Sequence, residues 1–207
     1  MSQPRRSPRA EDRKRDPERT RERILDAALT EFGEHGYAGA RISAIASRAG
    51  VNQQLISYYF DGKAGLYQAV VGRWPELSGP SNQPGMPIHE VVGNFLRMGM
   101  ENRAWTRLLA WQGLTGDGDE PARDSAEGSG DPYFEAIVED VRRRQRDGEI
   151  AADLDPAYVL LVMFSATMAP VLLPQITQQL TGLRADTPEF LTAYTEQLRR
   201  IVEHLRG

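Results

Sequence analysis

The stretch RISAIASRAGVNQQLISYYF, which runs from Arg41 to Phe60, decides the fold of this chain. Two apolar patterns with helical spacing lie on either side of Gly50, so the stretch predicts two short helices joined by a tight turn. The inward positions of the two patterns are Ile42, Ile45, Ala46, Ala49, Val51, Leu55 and Ile56. This arrangement is typical of a helix–turn–helix, in which the second helix enters the DNA major groove.

The composition limits what kind of protein surrounds this motif. With 207 residues and 40% hydrophobic side chains, the chain is long enough for one or two domains with a sizeable core. It has no cysteine, which excludes disulfides, zinc fingers and thiol chemistry. The arginine-rich start is not followed by an apolar run, so it is not a secretory signal and we expect a cytoplasmic protein. We expect the apolar stretch Ala157–Leu173 to be a helix that is buried on most sides, breaks near Pro170 and does not span a membrane.

Charge is distributed unevenly along the chain. Residues 1–74 contain 13 Lys and Arg against 9 Asp and Glu, a net charge of +4, whereas residues 75–207 contain 12 against 20, a net charge of −8. This asymmetry indicates that the amino-terminal part meets a polyanion, although chance variation in solvated surface charge gives the same pattern. We expect residues 1–15, which are rich in Arg, Pro and Ser, to form a disordered basic arm. Such an arm either follows a DNA backbone or minor groove or is a flexible tail without specific contacts.

Capping residues and prolines delimit further helices around the motif. Asp16-Pro17 predicts the start of a first helix that ends at Gly36, and Asp61 predicts the cap of a helix that reaches Trp74. Prolines and glycines in residues 75–87 predict a loop, so we place a domain boundary at its start. Later helices are predicted to begin near Ile88, Ala104, Asp131-Pro132, Asp155-Pro156 and Thr187-Pro188. No strand pattern competes with these signals, and the chain is predicted to be all-α with about nine helices.

Several short fragments follow one another in a fixed order and spacing over residues 17–74. They are Arg23-Ile24-Leu25-Asp26-Ala27-Ala28, Phe32, Gly36-Tyr37, Ile45-Ala46, Ala49-Gly50-Val51, Tyr58-Tyr59-Phe60 and Lys63-Ala64-Gly65-Leu66-Tyr67. Each fragment alone is weak evidence, but the ordered set resembles the tetracycline-repressor (TetR) family of transcriptional regulators. The resemblance implies a three-helix DNA-binding domain over residues 16–74 and a helical effector-binding and dimerisation domain over residues 75–207.

Two positions depart from the pattern of that family. Its members usually have Ser or Thr near the start of the second helix, where this chain has Ala40 and Arg41, so we expect Arg41 to supply a phosphate contact instead. Members also commonly have Tyr at the position of Ser57. That aromatic contact is either lost here or taken over by Tyr58 and Tyr59.

The motif and the resemblance together predict a DNA-binding surface. Asn52 is a natural N-cap for the second helix of the motif. Gln53 and Gln54 are expected to pair with adenine, unless they only fill the groove or bond phosphate. Neighbouring cations, hydroxyls and aromatic rings are expected to contact the DNA backbone. The complete predicted set is Arg41, Ser43, Asn52, Gln53, Gln54, Ser57, Tyr58, Tyr59 and Lys63.

The carboxy-terminal helices supply candidates for two further sites. The resemblance implies a homodimer on a palindromic double-stranded DNA operator, with the last two helices forming the dimer surface. The predicted dimer residues are Leu161, Phe164, Leu198, Ile201 and Leu205. The predicted lining of a cavity for a small, largely apolar effector is Phe95, Met98, Trp105, Trp111, Tyr133, Phe134 and Met163. Alternatively, all of these side chains fill the core of a single chain.

These features favour a sequence-specific DNA-binding transcriptional regulator. The preferred form is a repressor, which a small, largely apolar molecule releases from its operator. The alternatives are an activator of the same fold and a non-specific DNA-organising protein, for which the acidic body is unsuited. An enzyme is disfavoured because His35, His89 and His204 are scattered, and because phosphate loops, metal-spaced clusters and nucleophile elbows are missing from the sequence. No catalytic residue, cofactor or metal is therefore predicted.

Overall fold

The computed structural model describes residues 10–115 and 132–205, and every regular element within them is helical, as predicted. The α-helices are α1 (Ala10–Gly39), α2 (Ile42–Ala49), α3 (Gln53–Phe60), α4 (Gly62–Val71), α5 (Trp74–Ser78), α6 (Ile88–Glu101), α7 (Arg103–Thr115), α8 (Pro132–Arg146), α9 (Pro156–Leu172), α10 (Pro174–Thr181) and α11 (Pro188–Glu203). Each predicted helix is present, and the short helices α5 and α10 are additional. Both contain a proline in their first turn, where proline is compatible with a helix, although Pro75 of α5 belongs to the stretch predicted as a loop.

The first helix starts earlier than its sequence signals predict, whereas the predicted end at Gly36 coincides with a kink, where the backbone (φ 67°, ψ 177°) is not helical. Asp16-Pro17 predicts a start at that point, but α1 begins at Ala10 and runs through Pro17. Proline normally starts or interrupts a helix, yet the residues before it are mostly Ala, Glu, Arg and Lys, which have high helix propensity. The prediction of disorder is therefore wrong for residues 10–15, and the rest of the predicted arm lies outside the described residues.

Helices α1 to α4 enclose an amino-terminal core. Its completely buried side chains come from all four helices and include Ile24, Leu25, Phe32, Ile45, Ile56 and Leu66. Burying one side chain of this size contributes roughly 1.5–3 kcal/mol relative to leaving it exposed. The core therefore determines which side of α3 remains available to a partner.

Helix α7 connects this core to the rest of the chain. Its Trp105 side chain is buried among the residues of the amino-terminal core. Helices α1 and α7 cross so closely that a Cβ atom on Gly33 would lie 2.4 Å from the carbonyl oxygen of Ala104. A hydrogen bond of 3.0 Å, donated by Gln112 Nε2 to the Tyr67 hydroxyl, joins α7 to α4. Helix α7 is therefore in direct contact with both α1 and α4.

Helices α6, α8, α9 and α11 contribute most of a second, carboxy-terminal core. Its buried apolar residues are Ile88, Val91, Val92, Leu96, Val141, Ile150, Val159, Leu198 and Val202. Gly93 allows α6 and α11 to approach each other, because a Cβ atom there would lie 3.3 Å from the Cγ2 atom of Thr195. The two cores thus lie in different helix groups, and α7 adds residues to the first.

Helix α9 continues through Pro170 and ends at Leu172, so the break predicted near Pro170 lies just beyond it. A proline cannot donate to the carbonyl four residues earlier, which here belongs to Ala166. The Tyr194 hydroxyl of α11 donates to that carbonyl oxygen at 3.0 Å and replaces the missing helical bond. The chain turns at Leu173, where α10 follows at 96° to α9. Across the described ranges, no single helix is both long and apolar enough to cross a membrane, and only the bent α9–α10 pair reaches those limits together.

Candidate nucleic-acid interface and apolar cavity

The turn between α2 and α3 is fixed by a glycine and by an arginine from α1. Gly50 adopts a left-handed conformation, with φ 65° and ψ 40°, and ends α2. The Arg23 guanidinium donates a hydrogen bond to the carbonyl oxygen of Ala49, the last residue of α2. A Cβ atom on Gly50 would lie 2.8 Å from Arg23 Nη2, so a side chain at this position would displace the end of the arginine. In the sequence, Arg23 is only the first residue of the fragment Arg23–Ala28, and nothing in that fragment indicates this hydrogen bond.

The beginning of α3 is stabilised by Asn52, as predicted. Its Oδ1 atom accepts a hydrogen bond from the backbone N–H of Leu55 at 2.8 Å. Such a cap contributes typically about 1 kcal/mol to helix stability. Ile56 and Phe60 are buried and anchor the inner side of the helix. The direction of α3 is therefore set from both its end and its inner face.

The outer side of α3 carries polar and aromatic side chains. Gln53, Gln54 and Ser57 are all exposed, and Tyr58 is 81% exposed. Tyr59 is half-buried and packs edge-on against Tyr58, with ring centroids 5.4 Å apart. The structure thus brings the predicted reading residues onto one accessible surface.

The amino end of α2 depends on a buried acid that the sequence analysis misses. Arg41 precedes the helix and makes no side-chain capping bond. Its backbone N–H instead donates to Glu31 Oε1 at 3.2 Å, and Glu31 is buried between α1 and α2. The Arg41 and Ser43 side chains remain exposed beside α3. Glu31 therefore takes over the positioning role of the absent Ser or Thr, and the Arg41 side chain remains available.

Lys63 is engaged within the chain. Its Nζ atom donates to the carbonyl oxygen of Ala38 at 3.2 Å and lies 4.7 Å from the centroid of the Tyr37 ring. Burial lowers the pKa of the Lys63 ammonium below its ordinary value, and the nearby Glu31 carboxylate opposes this effect. The ammonium is thus held at the start of α4, where it can meet an anion only from a fixed position.

The link between α3 and α4 differs from the predicted one. Asp61 makes no side-chain capping bond, because its left-handed backbone, with φ 55° and ψ 40°, directs the chain from one helix into the next. Gly65 lies one turn later against the end of α3. A Cβ atom there would be 1.9 Å from the Phe60 carbonyl oxygen, which explains the glycine of the Lys63–Tyr67 fragment.

One group of possible metal ligands occurs in the described residues. Glu31, Glu34 and His35 place one ligand atom each within 4.8 Å of one another on α1. Their sequence spacing alone brings them together on one face of the helix. Glu31 already accepts a hydrogen bond from the Arg41 backbone, and Glu34 accepts one from Arg48 Nη2 at 3.1 Å. The group is therefore accounted for by its contacts within the chain.

An apolar cavity of about 400 Å³ lies between α6, α8 and α9. Four of the predicted residues, Phe95, Tyr133, Phe134 and Met163, line it. The lining also contains Trp74, Asn82, Ile88, Val91, Val92, Ile137, Val138, Asp140, Val141, Ala157, Leu160, Leu161, Phe164 and Thr167. Its volume lies in the range of small-molecule sites in proteins.

Three residues predicted to line this cavity lie elsewhere. Trp105 is buried in the amino-terminal core, and Trp111 packs against Gly36, where a Cβ atom would lie 3.0 Å from its ring. Met98 lies toward the turn after α5, where its sulfur accepts a bond from the Ser81 hydroxyl at 3.8 Å. Composition identifies large apolar side chains but does not show which face of α6 or α7 meets which core.

Trp74 connects the cavity to the amino-terminal helices. Its ring lines the cavity and stacks on Trp105, with centroids 5.3 Å apart and planes at 9°. The preceding residue, Arg73, forms ion pairs with Glu22 at 3.1 Å and with Asp26 at 2.9 Å, both on α1. A molecule in the cavity would therefore touch Trp74, and the adjacent Arg73 is ion-paired with α1.

The outer face of α9 is exposed, although its sequence predicts burial on most sides. Tyr158, Leu161 and Val162 are 70%, 60% and 65% exposed. The described part of the chain has too few helices to cover both sides of α9, so one apolar side remains open. The neighbouring α10 and α11 add exposed apolar side chains, namely Leu173, Ile176, Leu180 and Ile201.

The predicted dimer residues divide between this face and the interior. Leu161, Phe164 and Ile201 are exposed, and Leu205 is half-buried. Leu198 is 5% exposed and belongs to the carboxy-terminal core, so its assignment to a dimer surface is wrong. It lies three residues before Ile201 on α11, and the side of a helix that meets α6 is not evident from spacing alone.

Comparison with known protein families covers most of the chain. Residues 24–70 match the family described as bacterial regulatory proteins, tetR family. Residues 88–202 match the family described as tetracyclin repressor-like, C-terminal domain. The first match includes the helix–turn–helix, and the second includes α6 to α11 apart from the end of α11.

Individual relatives extend along nearly the whole chain. It is 31% identical over 193 residues to the HTH-type transcriptional repressor SCO4008 of Streptomyces coelicolor, covering 91% of this chain and 98% of that protein. It is 24% identical over 194 residues to the HTH-type transcriptional regulator RutR of Escherichia coli, covering 86% of each.

Solved structures share the fold. The crystal structure of SCO4942 from Streptomyces coelicolor matches with a TM-score of 0.73 and 24% identity, covering 91% of this chain and 98% of that one. HlyIIR, a hemolysin II transcriptional regulator, matches with a TM-score of 0.58 and 25% identity, covering 92% of this chain and 99% of that one.

Proposed function

This chain belongs to the tetR family of bacterial regulatory proteins and is a DNA-binding transcriptional regulator, and we propose that it is a repressor released from a palindromic operator by a small, largely apolar molecule. The position of Trp74 is the observation that supports a response to ligand. Trp74 lines the cavity, and the preceding residue, Arg73, forms an ion pair with Asp26 of α1. We place DNA binding in residues 16–74 and ligand binding and dimerisation in residues 75–207.

The exposed edge of α3 is proposed to read base pairs. Gln53 and Gln54 lie at the amino-terminal end of the helix, which is the part of a recognition helix that reaches base edges. A Gln side chain pairs bidentately with adenine, which gives about 1–3 kcal/mol of discrimination. Ser57 lies one turn later on the same side and completes the reading edge. A preference for A·T pairs in each half-site follows from these side chains.

The residues around this edge are proposed to contact the DNA backbone. Arg41 and Ser43 are exposed at the start of α2, on one side of α3. Tyr58 and Lys63 lie at its other end, where Tyr58 is exposed and the Lys63 ammonium is held beside the start of α4. Tyr59 supports Tyr58 from its half-buried position. These contacts position the reading helix without adding base specificity.

A second copy of the chain is proposed to cover the apolar face of α9, α10 and α11. Family members form dimers, and an uncovered apolar face of this length is unusual on a monomer. Leu161, Phe164 and Ile201 are our interface candidates, and Leu205 lies at its edge. A twofold dimer places two copies of α3 about 34–36 Å apart, or a multiple of it, so the operator would be palindromic.

Release by a ligand requires that the ligand prefer one arrangement of the dimer over another. A molecule between Trp74 and the α8 aromatics would alter how α4 joins the body, and Arg73 passes that change to α1. Coupling between two such sites is typically about 1–3 kcal/mol, or a five- to 150-fold change in operator affinity. The ligand is expected to be largely apolar because almost the whole lining is apolar.

The decisive experiment combines operator selection with transcription. Genomic fragments bound by the protein would be selected and sequenced, and the operator then placed in a promoter transcribed in vitro. A repressor lowers transcription in proportion to operator occupancy, whereas increased transcription would contradict repression. Gln53→Ala with Gln54→Ala is expected to relax the preference for A·T pairs, and Arg97→Ala, on exposed α6 surface, is the matched control. An unchanged preference in the double variant would remove these residues from base reading.

A further inference from the structure

The polar end of the apolar cavity indicates which head group its ligand carries. Besides the Tyr133 phenol, the polar side chains in the lining are Asn82, Asp140 and Thr167. The Thr167 hydroxyl donates to the Phe164 carbonyl oxygen within α9 at 2.9 Å. Asn82 and Asp140 lie together, since Asn82 Nδ2 donates to Asp140 Oδ2 at 3.4 Å. They therefore form a single polar end in an otherwise apolar space.

The Asp140 carboxylate is ionised and already paired. Arg144 Nε donates to its Oδ2 atom at 2.9 Å, and Arg143 Nη2 donates to its Oδ1 atom. Burial opposes the ionisation of Asp140 most strongly, but the hydrogen bonds from the two arginines outweigh it and lower the pKa of the carboxyl below its ordinary value. Arg144 is 1% exposed and also pairs with Glu149 at 2.8 Å. The guanidinium groups of Arg143 and Arg144 are thus offset by the carboxylates of Asp140 and Glu149, and Asp147 adds a further negative charge near Arg143, so the polar end carries no excess of positive charge.

One acceptor position remains on this carboxylate. A carboxylate offers about four lone-pair positions for hydrogen bonds. Among the described residues, Arg143, Arg144 and Asn82 occupy three of those of Asp140. A donor on a ligand can take the fourth. An anion would be repelled by this carboxylate and would lose its hydration in the largely apolar cavity. A cation would also lose its hydration, and the carboxylate would attract it only weakly because the arginines already offset the charge.

We propose that the effector is an uncharged, mostly aromatic molecule that presents one hydrogen-bond donor to Asp140 at the Asn82 end of the cavity. Trp74, Phe95 and Phe134 provide flat walls against which an aromatic ring packs favourably. The proposal rests on the proposed role of this cavity as the effector site. It goes further by stating the charge and the head group of the ligand.

Four probes with one ring system test the proposal by calorimetry on the full chain. They are naphthylmethanol, its methyl ether, naphthylmethylammonium and naphthoate, which differ only in the head group. The alcohol is expected to bind about tenfold more tightly than the ether, which lacks a donor. It should also bind more tightly than the ammonium or the carboxylate. Equal affinity of alcohol and ether, tighter binding of either ion, or no binding of any probe at millimolar concentration would each overturn the proposal.

The Asp140→Asn variant sharpens this test, because two probes should respond in opposite directions. Removing this carboxylate charge makes the cluster more positive by one unit, so naphthoate should gain affinity while the preference for alcohol over ether declines. A loss of folding would weaken every probe and cannot produce this crossing. Thr167→Val, which removes a hydroxyl that already donates within α9, should leave the ratios of all four probes unchanged. Parallel responses of all probes in Asp140→Asn would contradict the role of this carboxylate.

Operator binding by the same samples separates this inference from the proposed function. Fluorescence anisotropy of operator DNA is measured without ligand, with saturating naphthylmethanol, and with naphthylmethanol or its methyl ether at one equal subsaturating concentration. If the alcohol binds selectively but leaves operator affinity unchanged, the ligand chemistry stands and release by ligand is contradicted. If operator affinity falls equally with alcohol and ether, release stands and the requirement for a donor is contradicted.

Discussion

The hydrogen bond from Tyr194 to the Ala166 carbonyl exists because Pro170 has no N–H to donate. We therefore predict that the contribution of the Tyr194 hydroxyl to the free energy of unfolding depends on the residue at position 170. Tyr194→Phe keeps the ring stacked on Phe190, where the centroids are 5.2 Å apart, and removes only the donor. Leaving a buried acceptor unpaired costs about 1–3 kcal/mol, and because Ala166 is half-buried we expect the lower end, about 1 kcal/mol.

The same substitution should be almost silent when residue 170 can donate. In a Pro170→Ala background the helix regains its own bond to Ala166, so Tyr194→Phe is expected to cost about 0.3 kcal/mol or less. Urea unfolding of the four proteins, at one fixed protein concentration because assembly adds to stability, gives the coupling energy. Tyr58→Phe, at an 81% exposed position, is the control and should be neutral. Equal costs of Tyr194→Phe in both backgrounds would refute the explanation.

Three further predictions concern the DNA surface, the α3–α4 link and acid stability. Arg41→Ala should reduce the salt slope of operator binding by about one unit, and Lys63→Ala by less, because its ammonium already bonds a backbone carbonyl. Gly65→Ala should destabilise the fold by about 1–3 kcal/mol in urea unfolding, because its Cβ would overlap a backbone carbonyl, while Gly79→Ala, which meets no atom within 4 Å, should be neutral. Hydrogen bonds from Arg199 and Arg200 lower the pKa of Glu196 from 4.5 to about 2. The stabilising contribution of the ionised carboxylate is therefore present above pH 4.5 and lost as the pH falls toward 2. The free energy of unfolding measured across that interval should therefore depend less on pH in Glu196→Gln.

The sequence predicts those features that depend on neighbours along the chain. The two helices of Arg41–Phe60, the turn at Gly50 and the Asn52 cap all follow from residues within a few positions of one another. Helical spacing also identifies the apolar side of α3. These local rules are sufficient for the helix–turn–helix because its geometry is determined mainly within one short stretch.

Features that depend on contacts between distant helices could not be predicted in this way. Glu31 supports the start of α2 from another helix, and nothing in its own surroundings in the sequence indicates that it is buried. Leu198 and Ile201 both belong to an apolar stripe, yet only Leu198 meets α6. Arg144 lies in a run of arginines, yet it is buried and donates to the Met86 carbonyl oxygen and to Asn82 Oδ1, which lie 58 and 62 residues away along the chain. In each case the partner comes from a part of the chain that pattern alone does not bring near.

Helix α1 is the element through which these distant contacts reach the DNA surface. Its Arg23 bonds the turn before α3, and its Glu31 bonds the start of α2, so both ends of α2 are held by α1. The same helix packs against α7 at Gly33 and is paired with Arg73 next to the cavity. The position of α3 therefore depends on α1 through Arg23 and Glu31. The position of α1 depends in turn on its contacts with α7 and with Arg73. In the proposed dimer, a ligand that moves Trp74 need not touch the helix–turn–helix, because a rotation of α1 would change the distance between the two copies of α3.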